Sequence, residues 1–404
     1  MSRFLFVVPP LVGHINPTIG VAAALVERGH QVAWAGAGEL VRRLVGFDAA
    51  VYSCAVPECA NTCVQRPPGL RGPAWLKFLC GRFFIPLAQA MVPGVVQAVE
   101  RFGPDVLVVD LEAFAGWIVA ERAGLPWATS ATNAAVFTDP FSGTPKVEAW
   151  LQETMTDLRH RFGTPAQPAN PWFSPRLVLG FTTAALLGST GHLGEQVRLV
   201  GPSIAPRQSS GDFPWGWLDG DRPAVLVTLG TVNSDTGARF LDQCTQTLAA
   251  DPDTQAVIVD PVGVLSTVPQ HVLVRREIPQ LRLLPHIDAV VCHSGHNTVC
   301  ETLSHGLPLV VAPIRDEQPL VAQQVVDAGA GIRLRFSRAT TTQICPAVEA
   351  VLTDPTYRQA AQRVQEAFRA AGGAVAAAGH LEELAACGAR GALGEESVRA
   401  DLRG

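Results

Sequence analysis

Residues 290–318 read VVCHSGHNTVCETLSHGLPLVVAPIRDEQ. An apolar run, Ala289–Cys292, gives way to a small, polar turn, His293-Ser294-Gly295-His296-Asn297-Thr298. A helical run follows, then a second strand-like run, Leu309–Pro313. A strand feeding a glycine turn and a helix N-terminus is a ready anion site, because free N–H groups and the positive end of the helix dipole both face the turn. Short, continuous apolar runs of this kind suit parallel strands buried on both faces.

The same grammar recurs on either side. Phe4–Val8 is a strand, Pro9–Gly13 breaks it, and Ile15–Arg28 reads as a helix closed by Gly29 before the next strand at Gln31–Ala35. Pro104–Asp110 is a strand followed by a helix to Ala123 and a short strand at Trp127–Thr129. Composition shifts to Gly, Pro, Ser and Asp near residue 206, and Ala224–Leu229 opens a second series with Gly230-Thr231 at its carboxyl end. Strands at 256–259 and 272–274 and helices at 319–328, 342–353 and 355–371 complete it. The expectation is an α/β fold of two doubly wound parallel sheets: domain one 1–205, linker 206–222, domain two 223–380, and a Gly- and Ala-rich tail 381–404 with its last dozen residues disordered. Such sheets bind ligands at the carboxyl ends of their strands, which puts the site in the cleft between the domains.

Composition narrows the rest. A chain of 404 residues exceeds the size at which a single core keeps growing, and 48% hydrophobic with 17% charged residues is globular. A net charge of -5 gives no reason to expect nucleic acid. The opening MSRFLFVVPPLVGH lacks a long apolar core before proline, so it does not read as a signal peptide, and nine cysteines read as reduced thiols of a cytoplasmic protein. Cys54, Cys59 and Cys63 fit no zinc spacing, and no metal or cofactor is expected. The longest uncharged run, Phe83–Val99, contains Pro86 and Pro93 and falls short of a membrane span.

Three polar groups stand at strand ends. His14, after the first strand, suits a general base near neutral pH with Asp110 accepting its Nδ1–H, or the two cap their helices. Gly230-Thr231 with His293, Ser294, Gly295, Asn297 and Thr298 suits a diphosphate, or is ordinary capping. Asp316-Glu317-Gln318 suits sugar hydroxyls, or is an exposed acidic turn. Neither GxGxxG nor GxxxxGK[ST] occurs.

Together these clusters resemble family 1 glycosyltransferases of the GT-B fold, the bacterial antibiotic-tailoring and plant UDP-sugar-dependent enzymes. The N-terminal match is GHINPTIGVAAALVERGHQV, and the C-terminal one runs from Ile278-Pro279-Gln280 and Leu284-Pro285-His286 through His293–Thr298 and Glu301 to Gly306-Leu307-Pro308 and Glu317-Gln318. The resemblance implies His14 as acceptor base oriented by Asp110, His293 and its turn on the donor diphosphate with Gly230-Thr231, Glu301 on the ribose, and Glu317-Gln318 on the sugar. Ile278 and Gln280 fall at its nucleotide end, and Asp316 is the alternative sugar acid in a shifted register. It implies inverting, metal-independent transfer from a UDP- or dTDP-sugar to an acceptor hydroxyl, by a monomer or homodimer. The sequence departs from the family at Val321, where asparagine is common, and at Glu277, where plant enzymes carry a base-stacking tryptophan. Trp75, Phe78, Phe83, Phe84 and Phe137, with Met91 and Phe141, suit an apolar natural-product aglycone, or are core. A nucleotide-sugar 2-epimerase and a non-catalytic sugar-nucleotide-binding partner of a transferase are the alternative readings.

Overall fold

The computed structural model describes residues 1–57, 70, 72–138, 143–164, 172–206, 213–230, 237–265 and 268–401, the side chains of 389–401 excepted. Seven parallel strands form the first sheet: β1 (Arg3–Val7), β2 (Gln31–Gly36), β3 (Ala50–Ser53), β4 (Val106–Asp110), β5 (Trp127–Ala131), β6 (Val178–Gly180) and β7 (Val197–Leu199), in the order β3-β2-β1-β4-β5-β6-β7. Six parallel strands form the second: β8 (Ala224–Thr228), β9 (Gln255–Val259), β10 (Val272–Arg275), β11 (Ala289–Cys292), β12 (Leu309–Val311) and β13 (Gly331–Arg333), in the order β10-β9-β8-β11-β12-β13. The chain reverses direction across each sheet between β1 and β4, and between β8 and β11. Those two switch points are where such sheets open a crevice.

The continuous apolar runs are explained by alternation. In β1, Leu5 and Val7 enter one core and Phe4 and Phe6 the other; in β11, Val290 and Cys292 take one face and Ala289 and Val291 the opposite one. Each strand therefore has no polar side, as a sheet covered by helices on both faces demands.

Three elements depart from the sequence reading. The helix after β1 begins at Val12, so α1 (Val12–Glu27) carries His14 in its first turn rather than in a preceding loop. Residues Phe213–Leu218, expected as linker, pack on the second core through Phe213, Trp215, Trp217 and Leu218. The tail is helical: α7 (Gly373–Asp401) returns to the first domain, where Leu381, Leu384 and Ala385 are buried with Val21 and Leu25 of α1. Glu382 pairs there with Arg28 and His30. Burying the two leucines is worth about 1.5–3 kcal/mol each, enough to hold a helix that composition alone marks as a tail. Of the last dozen residues, expected to be disordered, 393–401 continue this helix and 402–404 lie outside the described residues.

Among the described residues one helical stretch, 72–102, is long and apolar enough to cross a membrane by length and composition. Its Leu87, Met91, Val95 and Ala98 are buried in the first-domain core. It runs through a short π-helical segment, Cys80–Phe84, into α2 (Ile85–Phe102).

Candidate active site

His14 and Asp110 meet because α1 starts at the carboxyl end of β1, and Asp110 ends the adjacent strand β4. His14 Nδ1 lies 2.9 and 3.0 Å from the two Asp110 carboxylate oxygens. The Asp110 side chain is fully buried, so its acceptors are spent on protein donors. A carboxylate only accepts, which fixes the imidazole proton on Nδ1 and leaves Nε2 as the reactive nitrogen.

Two further residues belong to this cluster. Thr132 Oγ1 donates to Asp110 Oδ2 at 2.8 Å and lies 2.9 Å from His14 Nδ1. Parallel pairing sets Asp110 opposite Ser130, so two residues on, the chain leaving β5 brings Thr132 alongside. Glu112 places Oε2 3.7 Å from His14 Nε2, and its backbone N–H donates to Asp110 Oδ1 at 2.9 Å. Nothing in residue spacing points to Thr132, whereas Glu112, a second carboxylate two residues past Asp110, is visible in the sequence.

Burial alone would lower the His14 pKa, but the charges of Asp110 and Glu112, the Asp110 hydrogen bond and the more distant Glu317 push it up to about 10. Burial raises Glu112 to about 7, with His14 holding it back and Asp110, Glu317 and Asp316 pushing the same way as burial. Glu317 is likewise raised, first by burial and then by Asp316. Glu317 of the second domain thus lies close enough to His14 of the first for their charges to couple.

On the opposite wall, β11 ends in the turn preceding α4 (His296–Ser304). Gly295 is the helix N-cap and supplies no side-chain acceptor, so the first N–H groups of α4, those of His296, Asn297 and Thr298, keep their donors for a ligand. Ser294 is held at φ 68, a left-handed conformation rare outside glycine, and its Oγ is buried without a hydrogen-bond partner among the described residues. His293 Nδ1 is in the same state. Its ring is clamped between Gly230 and Gly295: a methyl group on Gly230 would lie 2.7 Å from Cε1, and one on Gly295 would run into Nε2. Burial lowers the His293 pKa to about 4 although a hydrogen bond to the Thr228 backbone works the other way, so the ring is neutral. An orphaned hydroxyl and an uncapped helix start are donors without an acceptor, and the His293 Nδ1 beside them has no partner among the described residues. Thr231, the expected partner of Gly230, lies outside the described residues.

The remaining predicted residues divide. Gln280 Nε2 donates to Glu301 Oε2 at 2.6 Å, joining the nucleotide-end residue to the expected ribose acid. Ile278 packs against the second core. Asp316 is also left-handed, at φ 57, and turns the chain into α5 (Gln318–Asp327), of which Glu317 is the N-cap. Gln318 is buried, and its Oε1 accepts the N–H groups of Ile314 and Arg315 at 2.9 and 3.1 Å. Only its amide nitrogen remains for a sugar.

The aromatic set needs correction. Phe83, Phe84 and Phe137 are core side chains, 5%, 3% and 1% exposed, as is Met91. Phe84 packs on Phe114 and Trp172, and Phe137 stacks on Phe173. Composition showed an aromatic-rich stretch but could not show which face of its helices points inward. Trp75 and Phe78, stacked at 5.5 Å and partly exposed, are the members left for an acceptor. Phe141, Cys59 and Cys63 lie outside the described residues.

One seam joins the walls. Pro17 has no N–H to close the helical bond to the carbonyl of Gly13, four residues back. That carbonyl instead accepts Asn297 Nδ2 of the donor turn at 2.8 Å.

Two parallel-sheet domains, each with its functional turn at the switch point and facing the other across one cleft, define a GT-B glycosyltransferase architecture. Comparison with known proteins agrees. Residues 247–384 match the erythromycin biosynthesis protein CIII-like C-terminal domain. The chain is 32% identical to 4'-demethylrebeccamycin synthase of Lentzea aerocolonigenes over 95% of its own length and 99% of that protein. It is 28% identical to demethyllactenocin mycarosyltransferase of Streptomyces fradiae, covering 95% of this chain and 87% of that one. Among solved structures, the glycotransferase of kitacinnamycin superposes with a TM-score of 0.78 at 24% identity, covering 95% and 98% of the two chains. Spinosyn rhamnosyltransferase complexed with thymidine diphosphate superposes with a TM-score of 0.75 at 22% identity, covering 94% and 100%. The chain belongs to the family of natural-product glycosyltransferases of the GT-B fold, and it is an enzyme that transfers sugars.

Proposed function

We propose that this enzyme moves a sugar from a dTDP- or UDP-sugar to a hydroxyl of a small apolar natural-product aglycone, with inversion and without a metal ion. The observation that carries the reading is the opposition of two half-sites: His14 Nε2 on one wall, and the unpaired Ser294 hydroxyl and His293 Nδ1 with the uncapped α4 start on the other. Direct displacement needs a base on one face of the anomeric carbon and a stabilised leaving group on the other. His14 in its neutral form takes the acceptor proton at Nε2, and Asp110 stabilises the resulting imidazolium through Nδ1. The donor turn takes the diphosphate on N–H, hydroxyl and imidazole groups, which is why a metal is not required by this scheme. Glu301 with Gln280 is assigned to the ribose, and Glu317 with the Gln318 amide to the sugar. Thymidine diphosphate is the ligand of the spinosyn rhamnosyltransferase complex, which supports a dTDP-linked donor here. Trp75 and Phe78 offer the apolar surface for the aglycone.

The test is a panel of dTDP- and UDP-sugars with a broad acceptor mix, scored for nucleotide diphosphate release and for glycosylated product. His14→Ala is expected to lower kcat by about 10²–10⁴-fold with donor affinity retained. Full transfer by that variant overturns the base assignment. Release of nucleotide with no product from any acceptor overturns the transfer to an aglycone.

A further inference from the structure

The seam between Gly13 and Asn297 is built into the sequence of both walls. Proline at position 17 frees the Gly13 carbonyl, and that carbonyl belongs to the residue immediately before His14. Its acquired partner is the amide of Asn297, the second residue of α4, inside the turn assigned to the diphosphate. The contact joins residues 284 apart in sequence. Pro17 and Asn297 also line the same small inter-domain cavity, about 10 Å³ and so room for about one water. The bond is part-buried, and breaking it takes the partner from a carbonyl that Pro17 has already deprived of its helical one.

We propose that Asn297 is a positioning residue for the transfer: its amide, bonded to the Gly13 carbonyl, ties the donor turn to the helix that carries His14, so that occupancy of the turn sets the place of the base. The proposal rests on the reading of His14 as base and of 293–298 as the diphosphate turn. It separates Asn297 from its neighbours, because an amide nitrogen committed to Gly13 is not the group that holds the phosphate. Turn and base then move as one unit, so the base is well placed only when the donor turn is filled and the closed cleft excludes water.

Two variants remove the same bond from opposite ends. Asn297→Ala deletes the donor; Pro17→Ala restores an N–H that closes the helical bond to Gly13 and competes for the acceptor. Each is expected to lower kcat about three- to tenfold, the worth of one neutral hydrogen bond. Affinity for dTDP and UDP, measured by calorimetry, stays within about twofold because the phosphate donors are untouched. The double variant is expected to be no worse than either single one, as for two changes acting on one contact. An Asn297→Ala variant that loses nucleotide affinity about tenfold or more, or a fully additive double variant, overturns the proposal in favour of a plain phosphate ligand. A second readout needs no turnover: with ¹⁵N-labelled histidine, dTDP or UDP alone shifts the His14 imidazole signals in the wild type, and the shift is lost in both variants. Absence of the shift in the wild type despite nucleotide binding, or its survival in both variants, refutes the coupling. Absence of sugar transfer from every donor with the coupling intact refutes the functional reading instead.

Discussion

Replacing Glu112 by Gln removes a charge that faces the reactive nitrogen of the base while keeping its size. At 3.7 Å the attraction between that carboxylate and a protonated His14 is about 1 kcal/mol if water-like screening holds and about 4 kcal/mol at an effective dielectric near 20. Both side chains are only 17% exposed, which favours the upper part of that range. At 1.36 kcal/mol per pKa unit, the His14 titration midpoint falls by about one to three units. The groups that still face the ring are Asp110 and Thr132 on Nδ1 and the more distant Glu317, so the midpoint stays above that of a solvent-exposed histidine. Because the wild-type midpoint is raised to about 10, the free enzyme holds an imidazolium at neutral pH, and proton loss must precede base catalysis. Wild-type kcat/KM therefore climbs through the alkaline range, and in Glu112→Gln its acid limb moves to lower pH. The assay is a ¹⁵N-histidine NMR titration beside the pH profile of transfer, with Glu112→Asp expected to restore most of the wild-type midpoint. A midpoint that does not move, or that rises, refutes the assignment of Glu112 to the Nε2 side.

Two further outcomes follow from the donor wall. Gly295→Ala drives a methyl group into the His293 ring, so nucleotide affinity falls, and overpacking costs about 1–3 kcal/mol of stability; calorimetry with dTDP or UDP at wild-type affinity would contradict the clamp. His293 and His296 are both lowered to about 4 by burial, below the 6.5 of an unfolded histidine. The stability they contribute is complete above pH 6.5 and is lost as pH falls toward 4, on the order of 3 kcal/mol for each ring. His293→Gln should flatten part of that acid loss in denaturant unfolding followed from pH 7 to pH 4; an unchanged slope would show that the ring titrates normally in the folded protein.

The parts of the fold that were legible in the sequence are those set by local pattern. Short, valine-rich apolar runs such as Val225–Val227 and Val290–Cys292 read as two-faced strands, and once they are parallel, the positions just past their carboxyl ends mark the cleft. The polar turn at 293–298 was readable for the same reason. What escaped depends on register, helix face or distant packing. Thr132 reaches Asp110 only because β5 pairs with β4 in one register. Phe83 and Phe84 are adjacent in sequence, yet both enter the same core from the π-helical segment Cys80–Phe84. Pro9 and Gly13 look like a break, yet α1 starts between them, since neither proline before a helix nor glycine in its first turn loses a required bond. The return of α7 to the first domain rests on contacts with residues more than 350 positions away.

On the proposed assignment of base and diphosphate turn, the charges of the site explain why it is divided between two domains. A base strengthened by Asp110 and Glu112 needs carboxylates around it, and Glu317 and Asp316 add more from the facing loop. A diphosphate placed among them would be repelled at short range. The donor turn avoids this by being built from neutral groups: a buried hydroxyl and the open N–H groups of α4, beside an imidazole kept uncharged by burial. On one continuous sheet the two environments would lie on adjacent strand ends, a few ångströms apart. Placing them at two switch points that face each other lets the sugar occupy the space between, and it leaves the Gly13–Asn297 bond as a direct link between the wall that takes the proton and the wall that takes the phosphate.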